Sequence, residues 1–191
     1  PFTALTIAGS DSGGGAGIQA DLQAFEAHGV FGMSVLTAVT AQNSHSVTAI
    51  HGIPTDVIAS QINAVAEDFP IGAVKTGMLA TPETVEVVAA GIEQHALGPV
   101  VVDPGMISKS GDALLAPEAV GAVATRLIPL ATVVTPNAHE AARLAGFDVR
   151  PLGAARRAAE RLRRLGPGAV LVKGGPLAGA AQAVGRLVWD G

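Results

Sequence analysis

The 191 residues contain no cysteine and no tyrosine, one tryptophan, and three lysines against nine arginines. Without cysteine the chain can form neither a disulfide framework nor a thiolate metal site. Charged residues make up only 15% of the chain, well below the about 25% of an average globular domain, and the formal net charge is −4. That balance gives no field to attract nucleic acid. No apolar run approaches the roughly 20 residues that span a bilayer, and Pro1-Phe2-Thr3 begins no basic, signal-like segment. A cytoplasmic chain with neither membrane nor nucleic acid as partner is expected.

What the chain has instead is apolar surface and glycine: 49% hydrophobic residues and 24 glycines. The length suits a single domain, residues 1–191, that buries roughly 70% of the surface its unfolded form exposes. So little charge also favours an oligomer interface.

The first 21 residues organise the rest. Leu5-Thr6-Ile7-Ala8-Gly9-Ser10-Asp11 is an apolar run that leads into Ser12-Gly13-Gly14-Gly15-Ala16-Gly17, and Ile18, Leu22 and Phe25 then recur at helical spacing up to Gly29. This is a strand, a glycine-dense loop and a helix. Glycine permits positive φ and close approach of a ligand to the backbone, and the first turn of a helix leaves amide donors free.

The pattern repeats down the chain. Strands are predicted at 35–40, 48–53, 73–76, 100–102, 131–135, 169–172 and 186–189. Helices are predicted from 55, with Ile58, Ile62, Val65 and Phe69 on one face; from 82, capped by Thr81 and carrying Val85, Val88, Ala89 and Ile92; and over 117–127, with Val120, Val123, Ala124 and Leu127 as its stripe. Two more are predicted over 137–145, closed by Gly146, and over 152–165. Alternation of short apolar strands with amphipathic helices defines an α/β fold, a mostly parallel sheet with helices on both faces. Ligands of such sheets bind beyond the carboxyl ends of the strands, which here carry Asp11, Gln42, Gly77-Met78, Asp103, Asn137 and Lys173-Gly174-Gly175.

Several chemistries fail at this point. Gly15-x-Gly17-x-x-Ala20 fits the dinucleotide pattern, but no acidic residue stands between Glu26 and Asp56 to hold a ribose; Gln42 ends the second strand instead. There is no GxxxxGK[ST] loop and no Gly-x-Ser-x-Gly elbow, and the five histidines show no paired ligand spacing. Asp21, one turn into the first helix, reads equally as a ligand to the loop or as a helix-dipole acid. Asn137 with Glu140 reads first as a capping pair, although amide, carboxylate and helix N-terminus together also suit magnesium, through water, and phosphate. The three lysines, Lys75, Lys109 and Lys173, sit in Val-Lys-Thr-Gly-Met, Ser-Lys-Ser-Gly-Asp and Val-Lys-Gly-Gly, where a compact ammonium suits a phosphate. The arginines between 156 and 164 oppose the apolar face of their helix and read as a solvated surface.

Taken together, Ala8 to Asp21, Thr40-Ala41-Gln42-Asn43, Lys75-Thr76-Gly77-Met78-Leu79, Asp103-Pro104-Gly105-Met106, Lys109-Ser110-Gly111-Asp112, Thr135-Pro136-Asn137 with Glu140, and Val172-Lys173-Gly174-Gly175 resemble, in order and spacing over the whole chain, the hydroxymethylpyrimidine/phosphomethylpyrimidine kinases of thiamin biosynthesis. The resemblance implies a ribokinase-like three-layer sandwich, a homodimer, and transfer of the γ-phosphoryl of ATP, with Mg2+, to 4-amino-5-hydroxymethyl-2-methylpyrimidine and then to its monophosphate. It implies that Gln42 hydrogen-bonds the pyrimidine in a pocket completed by Asp21, Gly9 and Met78. Asp103 and Glu140 are then expected at the metal, and Asn137 and Lys173 at the phosphates.

Two departures accompany the resemblance. Gly105 stands where the family usually has an apolar residue, commonly valine, so that a looser pocket wall is expected. The family's Gly-Thr-Gly segment, with its anion hole and catalytic base, has no counterpart before Gly191; the base is expected beyond that residue, in a C-terminal segment these residues lack. Two alternatives follow: pyridoxal kinase activity on the same fold, or a non-catalytic pyrimidine-binding domain if the chain truly ends at Gly191.

Overall fold

The structure, a computed structural model, describes residues 2–106, 115–149, 152–173 and 185–189. Lys109-Ser110-Gly111-Asp112 and Gly174-Gly175 lie outside the described residues.

The first unit is β1 (Phe2–Asp11), α1 (Gly17–Ala27) and β2 (Val30–Gln42), the two strands pairing in parallel. Strand β3 (Val47–Gly52) returns antiparallel to β2. From there the chain alternates: α2 (Thr55–Asp68), β4 (Val74–Thr76), α3 (Pro82–Gln94), β5 (Val100–Val102), α4 (Pro117–Ala122), β6 (Val133–Val134), α5 (Ala138–Ala145), α6 (Leu152–Arg163), β7 (Ala169–Val172) and β8 (Arg186–Trp189). Among the described residues the eight strands form one sheet in the order β3-β2-β1-β4-β5-β6-β7-β8, parallel except at its two ends.

Chain direction reverses beside β1. The crossover through α1 runs one way to β2, and every later crossover runs the other way. Right-handed connections therefore put α1 on one face and the later helices on the other. Packing agrees: Leu5, Ile7, Val35 and Val74 join Ile58, Ile62, Val85, Val88 and Ile92 of α2 and α3 in one core, while Thr6 and Lys75, alternate residues on the same strands, meet Asp21 of α1. Helices α2 and α3 touch at Gly91, where a Cβ would lie 3.0 Å from two carbons of Ile62. A second core joins Ala141 and Ala145 of α5, Ala155, Ala158, Ala159 and Leu162 of α6, and Val170 and Val172 of β7.

The expected helix over 117–127 is not uniform. It widens after Ala122 into a π-helical turn, Val123–Leu127, and closes through a 3₁₀ turn, Ile128–Leu130. The buried stripe is Ala119, Val123 and Leu127, at four-residue spacing, with Val120 and Ala124 only half-buried. Pro129 cannot supply the N–H that a continuing α-helix needs. The 131–135 strand shortens to Val133–Val134 just before Pro136, whereas the 35–40 strand grows to thirteen residues. Phe69, expected on the buried stripe of α2, lies at its end, 37% exposed and stacked on Phe31 with ring centroids 5.9 Å apart.

Candidate active site

The reversal beside β1 opens a cleft between the carboxyl ends of β1 and β4, where open α/β sheets hold ligands. A cavity of about 330 Å³ lies there. All eight residues that the sequence offered as site residues line it: Gly9, Asp21, Gln42, Met78, Asp103, Asn137, Glu140 and Lys173.

The glycine loop is folded around Asp11, which is 5% exposed. Its Oδ1 accepts the Gly13 N–H at 2.8 Å, its carbonyl accepts the Gly14 N–H at 3.0 Å, and its own N–H donates to Gln19 Oε1 at 2.8 Å. Gln19 Nε2 donates in turn to Ser10 Oγ. Gly14 and Gly17 have φ of +76° and +58°, and a Cβ on Gly17 would lie 2.3 Å from the carbonyl oxygen of Gly9. Here glycine is required by backbone conformation and by contact at once.

Ser12 anchors the end of β2 beside the cavity. Its Oγ donates to the Gln42 carbonyl at 2.7 Å and accepts the Gln42 N–H at 2.8 Å, which fixes the backbone of Gln42 at the end of β2. Among the described residues the Gln42 side-chain amide has a single hydrogen bond, a 3.4 Å contact from Thr40 Oγ1. An amide so placed offers donor and acceptor to a heterocycle carrying a ring nitrogen beside an amino group.

Asp21 is not free. Its carboxylate takes both Lys75 Nζ, at 2.7 and 2.9 Å, and Thr6 Oγ1, at 2.6 Å. Neither sequence reading of Asp21 included these partners, and Lys75, read as a phosphate cation, is the carboxylate's counter-ion. Met78 is 9% exposed; its Cε lies only 2.5 Å from where a Cβ on Gly9 would stand.

A second group of lining residues is built on the N-terminus of α5. Asn137 Oδ1 accepts the N–H groups of His139 and Glu140, and Glu140 Oε2 accepts the Asn137 N–H, a complete capping box. Glu140 Oε1 also accepts the Met106 N–H at 3.1 Å, tying the β5 loop to this helix. The capping reading of the pair is thus present in full, with both residues still facing the cavity. Glu140 is 2% exposed, and burial first, then the nearby Asp103 charge, push its carboxyl above the ordinary 4.5 against the pull of those two N–H groups and Lys173. Lys173, placed by its N–H on the Pro136 carbonyl, sets its ammonium 2.8 Å from Asp103 Oδ2.

No group of three metal-ligating side chains occurs among the described residues. The donor set nevertheless fits magnesium, which binds through one or two carboxylates plus water and phosphate oxygens rather than in an all-protein cage. Asp103 and Glu140, which both line the cavity, are the two carboxylates that could serve in this way. Gly105, φ +56°, departs from the expected looser wall: its backbone closes against residue 78, and a Cβ would lie 2.8 Å from Met78 N.

A switch point, a helix N-terminus suited to anions and an amide suited to a heterocycle in one cleft are features that a small-molecule kinase of the ribokinase-like fold would use. The comparisons agree. The chain superimposes on phosphomethylpyrimidine kinase from Clostridium difficile with a TM-score of 0.92 at 47% identity, over 100% of this chain and 81% of that one. It superimposes on Bacillus subtilis pyridoxal kinase, solved as an ADP complex, with a TM-score of 0.89 at 39% identity, over 98% and 71%. In sequence it is 50% identical to the hydroxymethylpyrimidine/phosphomethylpyrimidine kinase of Rhizobium meliloti over 98% of this chain and 70% of that protein. It is also 51% identical to the thiamine biosynthesis bifunctional protein ThiED of Geobacter sulfurreducens, over 91% of this chain but 35% of that longer protein. The family profile of phosphomethylpyrimidine kinase matches residues 11–191. The chain belongs to the phosphomethylpyrimidine kinase family.

Proposed function

We propose that the protein containing this chain phosphorylates 4-amino-5-hydroxymethyl-2-methylpyrimidine and its monophosphate with ATP in thiamin biosynthesis. The carrying observation is Gln42: its backbone is locked by Ser12, and it lines the same cavity as Asp103, Glu140 and Lys173. The pyrimidine lies against Gln42, Gly9 and Met78, and the ion pair of Asp21 with Lys75 supports that pocket. Lys173 and the N-terminus of α5 at Asn137 balance phosphate charge.

Asp103 and Glu140 are the residues that would hold Mg2+. When bound, the ion neutralises charge on the transferring phosphoryl group. Phosphoryl transfer depends mainly on such positioning and electrostatics. No residue of this chain is assigned the base.

Pyridoxal kinase activity is the second reading, favoured by the likeness to the Bacillus subtilis pyridoxal kinase. Incubation with ATP, magnesium and each alcohol, followed by product analysis, separates the two; phosphorylation of pyridoxal alone overturns the first. The protein works in the cytoplasm as a homodimer. Ile50 and Val57, each 44% exposed, lie on β3 and α2 and support an interface there. Monomer alone in sedimentation at micromolar concentration would refute the dimer.

A further inference from the structure

Thr37 belongs to no motif above and does not line the cavity. We infer that it is a positioning residue of the pyrimidine pocket, acting through the backbone of Met78. The inference rests on the pyrimidine reading just given.

The register of β1 against β2 shifts at one place: Ala8 stands opposite Leu36, but Ser10 stands opposite Val39. Strand β2 therefore carries one extra residue over this step, a bulge. Burial follows it, falling on Met33, Val35 and Thr37 before the bulge and on Ala38 and Thr40 after it. The bulge turns two successive residues inward, and the first of them carries a hydroxyl.

That hydroxyl is 1% exposed with its residue and donates to the Met78 carbonyl at 2.7 Å, across 41 positions of sequence. The donor is held from outside: the Ile53 N–H donates to the Thr37 carbonyl at 3.0 Å, and the Gln61 amide of α2 takes both the N–H and the carbonyl of Leu36, at 2.9 and 3.1 Å. On the acceptor side the Met78 N–H has no bond among the described residues, and the chain is next held at the Leu79 carbonyl, by the Thr81 N–H, and at the Ala80 carbonyl, by the Ala116 N–H. Strand β4 ends at Thr76, and the Gly77 N–H on the Ile7 carbonyl is the last ladder bond before Met78.

Beyond that bond Met78 is bounded by bare backbone on two sides, with Gly9 against its Cε and Gly105 against its N. Those contacts limit Met78 without pulling on it. The Thr37 hydroxyl is the directional restraint on its carbonyl, and so on how the methionine faces the pocket. Removing it strands a buried carbonyl, which then has reason to rotate toward water or ligand.

The test titrates hydroxymethylpyrimidine, and separately magnesium–ATP, calorimetrically into the unmodified protein, Thr37→Val, Thr37→Ser, Met78→Ala and the Thr37→Val/Met78→Ala pair. Thr37→Val is expected to weaken pyrimidine binding about tenfold and to leave the ATP affinity within about twofold, with Thr37→Ser close to the unmodified protein. Once Met78 is alanine, Thr37→Val should add no further loss. Unchanged pyrimidine affinity, equal losses for both ligands, or an undiminished loss in the Met78→Ala background each overturn the inference. Should Thr37→Val not fold, the unmodified protein decides by NMR. The Thr37 hydroxyl proton is expected as a slowly exchanging resonance that moves when pyrimidine, but not ATP, is added; a resonance indifferent to pyrimidine overturns it. Failure of the unmodified protein to bind pyrimidine at all refutes the functional reading itself, a result distinct from any difference between variants.

Discussion

Lys75 Nζ lies 2.7 and 2.9 Å from the two carboxylate oxygens of Asp21, joining β4 to the first helix beneath the cavity. Their side chains are 24% and 16% exposed, so solvent screens the pair only partly. Lys75→Met leaves the Asp21 charge with the Thr6 hydroxyl, at 2.6 Å, as its remaining partner among the described residues and should cost about 1.5 to 3 kcal/mol of stability. Thr6→Val, removing a neutral donor from the same carboxylate, should cost about 1 kcal/mol. Urea denaturation of both variants checks the order; a Lys75→Met protein as stable as the original refutes it.

Gly17 and Gly9 should respond oppositely to alanine. At Gly17 the new Cβ meets a carbonyl oxygen at 2.3 Å on a left-handed backbone, so the loop itself has to move, and a loss of roughly 3 kcal/mol or more is expected. At Gly9 the obstacle is the end of a flexible methionine side chain, which can swing away. Gly9→Ala is therefore expected to hold most of its melting temperature while losing pyrimidine affinity. Equal melting temperatures for the two variants would contradict this reading.

Glu140 gives a pH signature. Its carboxyl is raised above the ordinary 4.5, chiefly by burial, so between that value and the raised one the folded chain holds a proton that the unfolded chain has released. The associated stability is complete below 4.5 and is lost as pH rises through the folded value. Glu140→Gln cannot titrate, and it can accept only one of the two N–H groups that Glu140 binds. The stability advantage of the original over Glu140→Gln should therefore shrink from acidic pH toward neutrality, as followed by thermal melts across that range. A constant or growing gap means that the carboxyl is not raised.

Much of this fold is legible in periodicity. Ile58 and Ile62, or Val85, Val88, Ala89 and Ile92, repeat at helical spacing and are buried as that spacing demands. The strand-end rule likewise brings Gln42, Met78, Asp103, Asn137 and Lys173 to one cavity. What sequence spacing cannot carry is pairing across the sheet. Nothing local to Asp21 announces Lys75, 54 positions away, because that pair depends on β4 lying beside β1, and nothing local to Thr37 announces Met78, because that contact depends on a bulge in β2 as well. The serine clamp on Gln42 has the same character, whereas Gln19, a polar residue in the first turn of α1, is a local signal for its bond to the Asp11 N–H. At Gly105 a missing side chain suggests space in the sequence, whereas in the fold the backbone occupies it.

Gln42→Ala should weaken pyrimidine binding by about 1 to 3 kcal/mol, since the ring's donor and acceptor would then be buried unpaired. Its backbone, held by Ser12, should stay in place, so the melting temperature should barely change. Calorimetry that finds full affinity removes Gln42 from the site.

Gly105 offers the last test, because its backbone has taken the place that a side chain would fill. With φ at +56°, any other residue sits in the left-handed region, which costs an L-residue roughly 1 to 2 kcal/mol before contacts are counted. The contacts add to this, for the Cβ would lie 2.8 Å from Met78 N and 3.0 Å from Gly77 C and Met78 Cα, all backbone atoms that cannot turn aside. Gly105→Ala should therefore destabilise, and Gly105→Val, branched at that same carbon, should destabilise more. Both should also weaken pyrimidine binding, since relief of the overlap displaces residues 77 and 78, and Met78 Cε already rests against Gly9. Thermal melts paired with pyrimidine titrations of the two variants check this. If valine proved as stable as glycine with full affinity, the 103–106 turn would have a second backbone path that accommodates a side chain, and the close wall would not be what holds Met78.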